Sequence, residues 1–179
     1  MHALVERPRA YLYMHKNINN WPLDNFCDQD VACSLIDLGK SPRDRILACS
    51  IYWDGRIDSF PQKAIAAMKL ANSKGYTFLL AGDLNARNAI FGSRTTDKRG
   101  KIFEDIISKN NLTTLNIGTV PTCKASAQGS IIDVTTITSG MEDIVTDWKV
   151  SQLESHSDHN IIEFLNYRHL RSRNDIKQS

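Results

Sequence analysis

The chain has 179 residues, with 22 Lys and Arg against 20 Asp and Glu, a formal charge of +2. Apolar residues make up 41% and charged residues 23%, ordinary globular usage that argues against intrinsic disorder. The longest unbroken apolar runs, residues 10–14 and 64–68, fall far short of the about 18–20 residues of a membrane helix. The opening residues (MHALVERPRA) put an acid and a proline where a signal peptide has its apolar stretch. The expectation is one soluble, intracellular domain over residues 1–167, followed by a basic tail over 168–179. The positive charge is uneven. Arg87, Arg94, Lys98, Arg99 and Lys101 face the single acid Asp97, and Arg168, Arg171, Arg173 and Lys177 face Asp175. On charge alone these are a solvated loop and tail, or the footprint of a polyanion. Cys27, Cys33, Cys49 and Cys123 form no CxxC pair and read as reduced core or loop thiols.

In chain order, residues 10–15 (AYLYMH), 31–38 and 46–53 are short β-rich apolar runs bounded by turn formers and predict strands. Residues 59–74, with Pro61 in the first turn and Gly75 beyond the end, predict a helix. Residues 76–81 (YTFLLA) read as a buried strand running into Gly82. Residues 101–110 predict a second helix with Ile102, Phe103, Ile106 and Ile107 on one face, stopped by Asn110 and Asn111. Residues 112–116, 130–138, 145–152 and 160–165 then predict strands. Strand–helix–strand–helix followed by strands points to a layered α/β (α+β) sandwich with mixed, largely antiparallel sheets. No GxGxxG or GxxxxGK[ST] is present, so a nucleotide cradle lacks its main support.

Three acidic clusters fall at strand ends. In Gly82-Asp83-Leu84-Asn85-Ala86, Asp83 and Asn85 are two apart and point to one side of an extended exit, where they can grip a water and a phosphate oxygen. The same residues also suit an Asx turn. Asp133 sits within the apolar run of residues 130–134. If buried it asks for a partner; if on a solvated face, beside Ser130, Thr135 and Thr136, it does not. Asp158 and His159 precede the last strand, and as neighbours they point apart, so His159 can face Asp133 while Asp158 faces a metal; a polar turn is the simpler reading. Ser157 lacks a nucleophile elbow, and His156 with His159 lacks further ligands at zinc spacing.

Together, Tyr52 in SIYW, then GDLNA, IIDV and SDH resemble the endonuclease–exonuclease–phosphatase superfamily, the fold of DNase I and of apurinic/apyrimidinic repair endonucleases. The segments AGDLNARNAIFGSRTTDKRG, LNIGTVPTC, GSIIDVT and DWKVSQLESHSDHNIIEF resemble more closely the endonuclease domain of non-LTR retrotransposon polyproteins. The resemblance runs from Arg7 to Leu165. It implies a DNase I-like fold and Mg²⁺- or Mn²⁺-dependent nicking of DNA, in the nucleus. Within it Asp83 orients or deprotonates water, Asn85 helps hold the phosphate, and His159, bonded to Asp133, supports the developing charge. Asp158 faces the metal, and Tyr52 reaches a phosphate oxygen. Arg87, Arg94, Lys98 and Arg99 become contacts to the DNA backbone. The family also carries an Asn and a metal-ligating Glu on strands upstream of the one AYLYMH resembles. Glu6, in VERPRA, does not match that motif, so the reading is a domain lacking its first strands. A reverse transcriptase domain follows in the parent polyproteins. The alternative is a truncated or co-opted remnant that binds nucleic acid or protein without catalysis, and a superfamily phosphatase is a third option.

Overall fold

The computed structural model describes residues 7–166. Glu6 and the basic tail lie outside the described residues. Among the described residues eight strands and two α-helices form: β1 Asn20–Pro22, β2 Val31–Asp37, β3 Arg45–Tyr52, α1 Gln62–Lys74, β4 Thr77–Asp83, α2 Lys98–Lys109, β5 Leu112–Thr114, β6 Asp133–Thr138, β7 Val145–Val150 and β8 Ile162–Asn166. Six strands make one sheet in the order β1-β2-β3-β4-β6-β5, and β7 pairs with β8 in a second sheet. Only β3 and β4 run parallel; the other neighbours are antiparallel. The mixed, largely antiparallel sandwich expected from the sequence is what forms.

Helix α1 is the crossover that a parallel pair requires. Its Ala64, Ala67, Met68 and Ala71 recur at helical spacing and are buried against the sheet, and Gly75 closes it with φ of 67°. It starts at Gln62 rather than at residue 59, because a residue before proline is driven out of the helical region. Helix α2 starts three residues earlier than its apolar face suggests. Asp97 caps it, accepting from the Gly100 amide at 2.7 Å. A Cβ on Gly100 would stand 1.8 Å from the Arg87 carbonyl oxygen, so the helix can lie against that loop only with glycine there.

Alternation along the strands sorts the core. Leu47, Cys49, Phe78, Leu80 and Val134 face the helices together with Trp53, Phe91 and Phe103. Ile46, Leu79 and Ile137 face the other way, onto Ile144, Val145, Trp148, Ile162 and Phe164 of the β7–β8 layer. The Trp148 Nε1–H donates to Thr135 Oγ1 across that interface at 3.0 Å. Cys33 and Cys49 are cross-strand neighbours, and all four cysteines are free thiols.

Residues 10–15 do not form the predicted strand. Their burial alternates as a strand's would, with Ala10 buried and Tyr11 and Tyr13 exposed. Only the Arg9 and Ala10 amides reach a neighbour, both donating to the Gln29 carbonyl, so no ladder forms among the described residues. The strand at 130–138 begins at Asp133, because the Ile132 and Asp133 amides donate to the Thr122 hydroxyl. The strand at 112–116 stops at Thr114, because the Asn116 side chain takes over the ladder, donating to the Asp133 carbonyl and accepting from the Thr135 amide. The short edge strand β1 carries too little apolar sequence to be read in advance.

Candidate active site

The register of the sheet assembles the site. Tyr52, the last residue of β3, is the partner of Asp83, the last of β4, and Asp83 is the partner of Asp133, the first of β6. Three adjacent strands therefore bring these side chains to one rim, at the carboxyl ends of the parallel pair, where open α/β sheets place their ligands. Gly82 allows this closeness: its φ is 155°, and a Cβ there would stand 1.9 Å from the Ile51 carbonyl oxygen.

Past β4 the chain turns at Asn85, which has φ of 45°. The Asn85 amide donates to Asp83 Oδ1 at 2.8 Å, and its Nδ2 donates to Asp83 Oδ2 at 3.1 Å and to the Trp53 carbonyl at 3.2 Å. The Asx turn and the same-side pairing are thus one arrangement. Both side-chain N–H groups of Asn85 are used in it, so its amide orients Asp83 and keeps no donor for a phosphate, unlike the role expected for it.

His159 arrives from the loop before β8. A bridge between Cys123 and His159, next to one between Cys123 and Ser130, seats it beside β6. Its Nδ1 lies 3.0 and 2.9 Å from the two Asp133 carboxylate oxygens, and its Nε2 lies 3.9 Å from Asp83 Oδ2. The imidazole therefore spans two acids and is 37% exposed, open enough to meet a ligand. Burial pulls its pKa down, but the hydrogen bond and charge of Asp133, with Asp83 and Asp158 behind, outweigh it and the net direction is up. Burial pushes the Asp83 carboxyl up as well. The Asn85 amide opposes this, the Asp133 charge adds to it, and His159 and Arg99 oppose it.

Tyr52 is half-buried with the Arg9 guanidinium 4.8 Å from its ring centroid. Arg9 is held by Asp30 and by Asp54, which also pairs with Arg56. Asp158 is exposed, and its carboxylate accepts no hydrogen bond among the described residues. It lines an open depression with Lys124, Glu154, Ser155, His156 and Ser157. Among the described residues no group of three or more His, Cys, Asp or Glu is arranged to hold a metal ion. A hard cation would rest on Asp158 together with substrate oxygens and water, as Mg²⁺ is commonly held, and the depression that Asp158 lines includes none of Tyr52, Asp83, Asn85 and Asp133.

The basic loop divides. Arg87 and Arg94 are exposed and line a cleft of about 230 Å³ with Ser93, Thr95, Ser130 and Ile131. Lys98 is exposed and pairs with Asp58 at 2.6 Å. Arg99 departs from the expectation of a DNA contact. It is buried, and backbone carbonyls take its guanidinium. Reading charge along the sequence counts every arginine as solvated, and nothing local marks this one as different. Thr122 is a further residue of the site: its hydroxyl fixes the start of β6 and its carbonyl accepts from the Asn160 amide beside His159. No residue-type signal distinguishes it from an ordinary loop threonine.

Comparison with known proteins places this geometry in a family. The profile of the endonuclease-reverse transcriptase family matches residues 46–163, and the chain belongs to that family, with a DNase I-like fold of the endonuclease–exonuclease–phosphatase superfamily. No curated protein sequence matches it. Among solved structures it is similar to the endonuclease domain of TRAS1, a telomere-specific non-LTR retrotransposon, at 26% identity and a TM-score of 0.67, covering 83% of this chain and 66% of that one. It is also similar to the AP endonuclease LMAP from Leishmania major, at 14% identity and a TM-score of 0.66, covering 84% and 62%. The 3'-5' exonuclease NExo from Neisseria meningitidis, at 16% identity and a TM-score of 0.55 over 84% and 70%, shares the fold. The chain thus spans a little under two thirds of the first two. No described helix is long and apolar enough to cross a membrane.

Proposed function

We propose that the chain hydrolyses phosphodiester bonds as a Mg²⁺- or Mn²⁺-dependent endonuclease that nicks DNA in the nucleus, as in non-LTR retrotransposition, within a polyprotein that also carries a reverse transcriptase. The observation that carries this is the continuous contact set Asp133–His159–Asp83–Asn85 at the rim. The likeness to the TRAS1 endonuclease domain supports the choice of DNA and of retrotransposition.

In this reading Asp83, oriented by Asn85, accepts a proton from the attacking water. Burial and Asp133 bring its basicity up toward that task. His159, held by Asp133 through Nδ1, presents Nε2 to a phosphate oxygen and supports the charge that grows there. Tyr52, fixed under Arg9, reaches a second oxygen from the neighbouring strand. The exposed Arg87, Arg94 and Lys98 hold the DNA backbone. What Mg²⁺ or Mn²⁺ supplies when bound, with Asp158 as its carboxylate, is neutralisation of phosphate charge.

A second reading, a remnant that binds nucleic acid or protein without cutting, draws on the sparse ion-binding set. With Asp158 as its carboxylate among the described residues, ion affinity leans heavily on the substrate. Nicking of supercoiled plasmid with Mg²⁺ and with EDTA separates the two. Nicking by the wild type that EDTA and His159→Ala both abolish supports the enzyme, and equal inactivity of wild type and variant favours the remnant.

A further inference from the structure

Arg99 is only 9% exposed, and no carboxylate pairs with it among the described residues. Its guanidinium has five N–H groups, and all five donate to backbone carbonyls. Nε reaches Asn85, one terminal nitrogen reaches Asp54 and Ile57, and the other reaches Trp53 and Leu84. The group also lies 3.8 Å from the centroid of the Trp53 ring. These carbonyls belong to two turns, one leaving β3 directly after Tyr52 and one leaving β4 directly after Asp83. A buried cation is costly to desolvate, and here the five carbonyls and the more distant charges of Asp97, Asp58, Asp83 and Asp54 offset part of that cost. Lysine offers three donors on one nitrogen and cannot fork between two turns, whereas the planar guanidinium can.

We propose that Arg99 is a positioning residue for this site, its fork clamping the turn that carries Asp83 and Asn85 onto the turn that follows Tyr52. The inference deepens the nuclease reading and rests on it. The clamp acts through Asn85: Arg99 fixes the Asn85 carbonyl while the Asn85 amide and Nδ2 fix the Asp83 carboxylate. Charge adds to this. Asp83 faces Asn85 from its own turn, Asp133 from β6, Tyr52 from β3 and His159 from the loop before β8, and the Arg99 cation opposes the burial that would protonate it. Arg99 therefore serves the reacting groups without reaching DNA.

The test compares plasmid nicking and DNA binding by wild type, Arg99→Lys and Arg94→Ala, with Arg99→Ala assayed with and without millimolar methylguanidinium. In Arg99→Lys the expected result is a fall in kcat of about 10²-fold, the cost of misplacing a catalytic group by an ångström, with KM and the salt dependence of binding unchanged. Arg94→Ala should instead raise KM and lower the salt slope by about 1. Methylguanidinium should restore part of the kcat of Arg99→Ala. Amide exchange gives a readout independent of activity: the Asn85 amide should lose protection in Arg99→Lys while Phe103 and Ile107 of α2 keep theirs. Wild-type kcat in Arg99→Lys, a salt slope altered as in Arg94→Ala, unchanged Asn85 exchange, or unfolding of both Arg99 variants by circular dichroism would each overturn the proposal. A wild type that does not nick sinks the nuclease reading alone, and the exchange experiment still decides the clamp.

Discussion

Two ionic clusters sit at the same end of the sheet and are built on opposite principles. In one, His159 spans Asp133 and Asp83, and both His159 and Asp83 have their pKa moved upward. In the other, Asp54 is gripped by Arg56 and Arg9, and its carboxyl is held far below the usual carboxylate range. Arginine hydrogen bonds with good fork geometry fix a carboxylate as an anion at every working pH, which suits a strut. An imidazole between two acids, with burial acting on His159 and Asp83, leaves protons free to move, which suits chemistry. Ionic groups at one rim thus yield a fixed brace and a set of groups that can exchange protons.

The largest expected effect is on the mobile cluster. Asp133→Asn keeps the shape at the rim but removes the charge that orients His159, and nicking should fall by about 10²–10⁴-fold, the usual worth of acid–base help. Circular dichroism should show the fold intact; a fully active variant would break the distinction between the clusters. Next in size is Thr122→Val, an isosteric change at a residue with no exposure. It leaves the Ile132 and Asp133 amides without their acceptor, so unfolding in urea should cost about 1–3 kcal/mol less than in wild type. A smaller effect is expected at the brace, and it is read from the shape of a pH curve. Because Asp54 is more acidic folded than unfolded, its contribution is present above about pH 4, the unfolded value, and is lost as pH falls further. Asp54→Asn should lower Tm at neutral pH and flatten the acid limb of Tm against pH, while leaving the pH profile of nicking in place. A nicking profile that moves with Asp54 would join the two clusters into one.

What could be read from the sequence follows a physical divide. Strands β2, β3, β4 and β6 announce themselves because a buried strand needs a run of apolar side chains, and α1 because Ala64, Ala67, Met68 and Ala71 repeat at helical spacing. Asp83, Asp133 and His159 were legible as candidates because acids at the ends of apolar runs are out of place there, and the order of their motifs made them one set. Backbone satisfaction leaves no such trace. The start of α2 depended on Asp97, the ends of β5 and β6 on Asn116 and Thr122, and the fate of Arg99 on five carbonyls far from it in sequence. Residues 10–15 failed for a related reason, since alternation shows that a segment can pair but not that a partner lies beside it.

The pairing of Asp83 with Asp133 across β4 and β6 also bears on how the protein folds. Like charges opposed on neighbouring strands weaken that pairing until the imidazole of His159 lies between them. The loop before β8 brings that imidazole, and the layer it belongs to is seated by Trp148 against Thr135 of β6. Completion of the site is in this way tied to completion of the fold, and a central sheet without its β7–β8 layer carries a rim that repels itself.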